Sequence, residues 1–164
     1  EQLKQGRKLE DMLIAGEVDA MVEPALPQSW LAGKRIVARL FPDFQKEEQE
    51  YYRRKRIFPI MHPLVINKEV LDRAPWVARS LFDALCASQR RYVEFMQQPH
   101  RLSFAWAASY LEQERAFFGG SPYPQGLSAN RHDLQAVIQF AQEQGLLHRP
   151  LTPEELFPEE LRSS

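Results

Sequence analysis

The stretch YYRRKRIFPIMHPLVINKEVL, residues 51–71, decides how the rest of the chain is read. Its first half reads as a helix end. Arg53, Arg54, Lys55 and Arg56 crowd the place where a helix presents unpaired carbonyls and partial negative charge, while Glu47, Glu48 and Glu50 lie earlier in the same pattern. Its second half, Ile57 to Ile66, is an apolar run of strand type interrupted by Pro59 and Pro63. Proline cannot donate to a sheet ladder, so such a run suits an edge strand or a crossover better than a central strand. The character of the chain changes here.

Upstream the pattern is βαβ-like. Leu9, Met12 and Leu13 recur at helical spacing over residues 5–15, and Gly16 suits the helix stop. Val18 to Val22 alternates as a short strand; Pro24, Pro27 and Gly33 mark a loop, with Trp30 as its anchor. Residues 35–41 (RIVARLF) read as a second strand, stopped by Pro42, and Asp43 caps a helix over 44–56. Downstream the chain reads as mostly helical. Pro75 suits a first helical position, with Val77, Leu81, Leu85, Tyr92 and Met96 near one face of the helix that follows. A helix over 102–118 ends at Gly119-Gly120. Ser128 caps another over 129–144, with Leu134, Val137, Ile138 and Ala141 inward and Gly145 as its stop. Thr152 to Glu155 is a capping box that opens a short last helix.

This order predicts three parts: residues 1–40 in one α/β lobe, 41–66 as a hinge or crossover, and 67–164 as the helical part of another lobe. Such a chain completes a two-lobed α/β protein and is not expected to be a self-contained fold. A portion of this kind exposes apolar surface, so homo-oligomerisation is expected.

The 164 residues amount to about one domain. Apolar residues make up 44% and charged residues 26%, the composition of a globular protein and not of a disordered, collagen-like or coiled-coil chain. With 21 basic and 22 acidic side chains, the net charge of -1 offers no broad attraction to nucleic acid or anionic lipid. No apolar run approaches the ~20 residues of a membrane-spanning helix, so no membrane insertion is expected. The single cysteine, Cys86, excludes an internal disulfide framework and falls on the core side of its helix, as a buried inert thiol does. The GxSxG, GxGxxG and Walker A signatures are absent.

Five residues are candidates for chemistry. His62 sits between two prolines that fix its direction, and it reads either as a hydrogen-bonded structural residue or as an acid–base group. His100, His132 and His148 form no HxH or HxxxH pattern with it, so no local metal motif is present. Arg39, at the carboxyl end of the second predicted strand, faces a cleft or the surface. Arg53 and Arg54 belong either to a solvated helix end or to an anion site, where an arginine fork grips a carboxylate with two parallel bonds. Arg131, within Asn130-Arg131-His132-Asp133 at a helix start, belongs to a cap with surface charge or helps hold an anion.

Four stretches together carry a resemblance. LEDMLIAGEVDAMV (9–22), RLFPD (39–43), the segment 51–71 with PWVARSLFDAL (75–85), and YPQGLSANRHDL with EQGLLHRPLTPEELF resemble, in this order and spacing, the 4,5-dihydroxyphthalate decarboxylases and the solute-binding-protein-like sequences grouped with them. FPIMH and PEELF are the most specific parts, and the likeness runs from about residue 9 to 157. Members of that family are about twice this length, so the chain, which opens at Glu1, is expected to be a C-terminal half. At Lys55-Arg56 this sequence departs from a small or polar pair such as Thr-Gly.

The resemblance implies a periplasmic-binding-protein-like fold of the second type, with two α/β lobes and a ligand cleft. It also implies a carboxy-lyase that removes one carboxyl group from 4,5-dihydroxyphthalate to give protocatechuate. On that reading His62 is the acid or base, while Arg39, Arg53, Arg54 and Arg131 place the carboxylates of a small aromatic acid. No organic cofactor is demanded, because the phenol is itself the electron sink; a divalent metal chelated by the adjacent hydroxyls is compatible with the reaction. The expected compartment is the cytoplasm. The rival reading is a periplasmic solute-binding protein of a transporter for an aromatic or dicarboxylic acid, which needs the arginines but no proton-transfer group.

Overall fold

A computed structural model describes residues 8–34 and 36–164. The chain divides into two units, Glu1–Arg54 and Lys55–Ser164, a boundary that falls inside the 41–66 segment. Among the described residues there are helices and irregular segments but no strand.

The first unit begins with α1 (Leu9–Ile14), which ends where Gly16 adopts a left-handed φ of 71°. The expected start of this helix, before residue 8, and Arg35 lie outside the described residues. One turn of helix, α2 (Gln28–Leu31), occupies part of the expected loop. Its cap comes from Glu10, whose two carboxylate oxygens accept the N–H groups of Gln28 (2.8 Å) and Ser29 (2.7 Å). Both donors belong to the first turn, where no intrahelical partner exists. The third helix, α3 (Phe44–Lys55), follows Asp43 as expected, although the Asp43 carboxylate lies a long 3.4 Å from the Lys46 N–H.

Two expected strands, and the edge-strand alternative for Ile57–Ile66, are corrected. Residues 18–22, the described part of 35–41, and Ile57–Ile66 are irregular and pair with nothing among the described residues. The physical reason is that a strand is stabilised by a neighbour that completes its hydrogen-bond ladder. Alternation and β-branching supply the preference, not the partner.

In the second unit, α4 (Lys68–Arg73) was not anticipated. Asn67 caps it by accepting the Glu69 N–H at 2.8 Å, and Lys68 pairs with Asp72 one turn on at 2.7 Å. Pro75 precedes α5 (Trp76–Met96), as its fixed φ suits a helix entry. The face of α5 differs in part from the expected one: Ala78 is buried, and Phe82 and Val93 are half-buried together with the expected Val77, Cys86 and Met96, while Leu81, Leu85 and Tyr92 are exposed. Both sets share helical spacing, and only the neighbours decide between them. Here those neighbours are α4 and the 3-10 turn Glu159–Leu161.

Helix α6 (Ala107–Phe118) starts later than residue 102, after a separate 3-10 turn at Pro99–Arg101. Helix α7 (Leu127–Glu143) starts earlier than residue 129, and its cap is not Ser128. Gly126 takes the capping position with φ 88°, and Ser164 supplies the groups. The Ser164 hydroxyl accepts the Leu127 N–H (3.1 Å) and its backbone oxygen accepts the Ser128 N–H (2.8 Å). A Cβ on Gly126 would lie 2.8 Å from the Ser164 carbonyl carbon, so glycine is required twice over, by φ and by space. Leu127, Leu134, Ala136 and Ile138 are buried on α7, whereas Val137, expected inward, is exposed. Helix α7 packs on the 3-10 turn Pro153–Leu156, whose entry is held by Glu155 accepting the Thr152 N–H at 2.8 Å.

Arg56 follows α3 with φ 56°, in the left-handed region that a side chain disfavours. This is the position where the family resemblance leads one to expect glycine. Arg56→Gly is therefore expected to relieve roughly 1 kcal/mol of backbone strain and to raise the melting temperature by about 2–4 °C. Thermal unfolding of the two proteins checks this, and a lower melting temperature would mean that contacts of the Arg56 side chain outweigh the strain.

Candidate functional site

Arg39 belongs to the first unit. Its guanidinium carbon lies 4.4 Å from the centre of the Phe44 ring and 5.6 Å from that of Trp30. Ring faces carry negative charge density, so both rings attract the cation. Attraction of this kind draws on the charge of the cation and spends none of its N–H donors. Arg39 is exposed and donates no hydrogen bond to any described residue. Trp30 and Phe44 were not singled out from the sequence as site residues. They stand nine residues before and five after Arg39, and no motif spacing announces the pairing.

Arg53 and Arg54 sit at the other end of α3. Arg53 is nine residues beyond Phe44, about 14 Å along the helix axis at 1.5 Å per residue. Its side chain turns back one turn to donate to Gln49 at 3.3 Å. Arg54 is exposed at the surface. The three candidate arginines of this unit are thus not gathered at one place: Arg39 lies over Phe44 at the start of α3, and Arg53 and Arg54 stand in its last turn.

In the second unit the residues 130–133 each reach a different segment. Asn130 donates to the carbonyls of Pro124 and Gly126, both at 2.8 Å. Arg131 pairs with Glu154 at 2.5 Å, an engagement that a substrate carboxylate would have to displace. His132 Nε2 lies 2.9 Å from the carbonyl oxygen of Lys55, the last residue of α3. A carbonyl can only accept, so Nε2 carries the proton in this bond. Asp133 accepts the backbone N–H of Phe58 at 3.2 Å. The Phe58 ring completes the attachment, meeting Phe118 edge-on at 5.0 Å and Tyr123 at 5.4 Å.

His62 lies four residues past this anchored Phe58. It is exposed, on a segment whose neighbours Met61, Leu64 and Val65 are also exposed. Its ring has no hydrogen-bond partner among the described residues, which leaves both nitrogens open to a ligand or to solvent. His62 and Arg131 share the second unit, Arg39 and Arg54 the first. A shallow hollow of about 260 Å³ beside α5, lined by Gln89, Arg90, Val93, Glu94 and Ser121, contains none of these residues. It is smaller than the ~300 Å³ at which ligand pockets begin. Among the described residues, no three His, Cys, Asp or Glu side chains gather as metal ligands would. No helix among them is long and apolar enough to cross a membrane.

The two carboxylates of this region respond oppositely to their surroundings. The hydrogen bond from Arg131 holds Glu154 below the usual carboxylate range. Burial pushes Asp133 above it, against the pull of the Phe58 N–H. Glu154 therefore contributes stability that is present above its unfolded value of 4.5 and is lost as pH falls through its lower folded value. Asp133 has the reverse sign: its contribution is complete below the unfolded value of 3.8 and is lost as pH rises through the higher folded value. Glu154→Gln is expected to lose stability near neutral pH and little in acid. Asp133→Asn keeps an oxygen to accept the Phe58 N–H and is expected to gain stability near neutral pH, with the gain vanishing in acid. Urea unfolding at several pH values measures both signs.

Compared with curated proteins, the chain is 29% identical over 155 residues to the 4,5-dihydroxyphthalate decarboxylase of Comamonas testosteroni. The match covers 93% of this chain and 47% of that protein. The chain therefore spans about half the length of the curated relative it matches, and the relationship is distant. No family model matches the chain.

Proposed function

We propose that this chain is part of a carboxy-lyase that removes one carboxyl group from 4,5-dihydroxyphthalate, or from a related aromatic acid, to give protocatechuate or its counterpart. The observation that carries the reading is Arg39: its guanidinium lies over the Phe44 and Trp30 rings and donates no hydrogen bond to any described residue. The distant relative named for that activity supports the substrate class. The two-lobed periplasmic-binding-protein-like fold belongs to the same proposal, with this helix-rich chain as one portion of it.

The chemistry assigns distinct tasks. Each carboxyl of the substrate lies para to a ring hydroxyl, and removing that hydroxyl's proton pushes an electron pair toward the carbon bearing the carboxylate. That carbon takes a proton, the carbon–carbon bond to the carboxylate breaks, and carbon dioxide leaves as the ring regains aromaticity. The proton added to the ring replaces the carboxyl group, so the step needs no oxidant or reductant. In this reading Arg39 grips a substrate carboxylate through paired bonds. His62, with both ring nitrogens open to a ligand, exchanges the proton at the hydroxyl or at the ring carbon. Arg53 and Arg54 add positive charge from the end of α3, and Arg131 joins only by releasing Glu154.

Arg39→Ala in the full-length protein is expected to weaken substrate binding by about 1.5–3 kcal/mol, the range for hydrogen bonds to charged groups. That is roughly ten- to a hundredfold or more in affinity, read by titration calorimetry with 4,5-dihydroxyphthalate. His62→Ala is expected to lower kcat by about 10²–10⁴, the share of one acid–base group. His62→Asn should recover some binding but little rate. Carbon dioxide release is followed alongside melting temperature: a folded His62→Ala protein with unaltered turnover would remove His62 from the reaction, and normal binding by Arg39→Ala would remove Arg39.

A further inference from the structure

The segment that carries His62 is fastened at its root. His132 donates to the Lys55 carbonyl, Asp133 accepts the Phe58 N–H, and the Phe58 ring is wedged against Phe118 and Tyr123. Between these two bonds lies Arg56, whose φ of 56° is held despite its cost. Beyond Phe58 the side chain of His62 has no hydrogen bond of its own among the described residues. Pro59 and Pro63 restrict the backbone on either side, so the direction of His62 depends on where Phe58 is held.

We infer that Asp133 is a positioning residue for His62, acting through the backbone N–H of Phe58 and 75 residues removed from it in sequence. The inference rests on His62 being the proton-transfer group proposed above. Its physical basis is leverage: a shift of Phe58 is passed along a short proline-stiffened segment to the imidazole. A misplacement of about 1 Å in a reacting group costs as much as 10²-fold in rate. An asparagine would accept the same bond, so what the position requires is an acceptor of the right reach and not a charge. Burial raises the cost of the charge without removing the bond.

The test uses three variants of the full-length protein with 4,5-dihydroxyphthalate as substrate. Asp133→Asn keeps the acceptor and is expected to retain wild-type kcat and KM. Asp133→Leu removes it, and kcat is expected to fall by tenfold to roughly 10²-fold at unchanged KM, measured well below the melting temperature. Asp133→Glu keeps a carboxylate but lengthens its reach by one methylene. It is expected to lower kcat in the same direction without loss of folding, which keeps the test decisive if the leucine variant does not fold. Amide hydrogen exchange across residues 57–62 is expected to rise in the leucine and glutamate variants and not in the asparagine one. Unchanged kcat in both the leucine and glutamate variants, with His62→Ala inactive, overturns the positioning role alone. Unaltered turnover in His62→Ala overturns the proton-transfer reading and this inference with it. A fall in kcat in Asp133→Asn equal to that in Asp133→Leu shows that the charge acts directly, and likewise overturns positioning.

Discussion

The second unit is organised by the side chains of Asn130, Arg131, His132 and Asp133, in the early turns of α7. Each reaches a different stretch of chain: the loop before α7, the 3-10 turn at Pro153–Leu156, the end of α3, and the start of the segment that carries His62. A single hydrogen bond contributes only about 1 kcal/mol net. Five of them made by four side chains of one rigid helix act differently, because once the helix is formed each further segment binds to a platform already ordered. The buried residues of α7, Leu127, Leu134, Ala136 and Ile138, hold that platform in place.

The same cluster shows why arginines that look alike in sequence differ in chemistry. Arg131 has a carboxylate partner in Glu154, and a new anion must compete with it. Arg39 is held by ring faces instead, an attraction that leaves its hydrogen-bond donors unspent. A guanidinium held over ring faces therefore keeps donors that one paired with a carboxylate has spent, although both residues carry the same charge. The pattern at Glu10 is the converse: there a carboxylate is consumed by two backbone N–H groups and has become a structural cap.

Segments 18–22 and 57–66 show the limit of local preference. Both have the composition of strands, and neither forms one among the described residues, because a ladder needs a second edge. The prolines at 59 and 63 add a further constraint, since each removes a donor that any neighbouring strand would need. What remains is an irregular segment with exposed apolar side chains, fixed at Phe58.

The sequence by itself determined the longer helices, α3, α5, α6 and α7, and some of their ends. Pro75, Gly145, Asp43 and the charge order along residues 44–56 act within a turn or two of where they stand, so their effects are visible in a local window. It also marked Asn130 to Asp133 as a helix-start cluster and 51–71 as the region where the chain changes character. Only the tertiary structure decided which face of α5 is covered, that Glu10 caps α2, and that Ser164, not Ser128, caps α7. It alone brought Trp30 and Phe44 to Arg39, and Asp133 to Phe58. The physical reason is common to all of these. A cap or a stacked ring requires only a group of the right chemistry at the right distance, and folding can supply that group from 18 or 75 residues away with no periodicity to betray it.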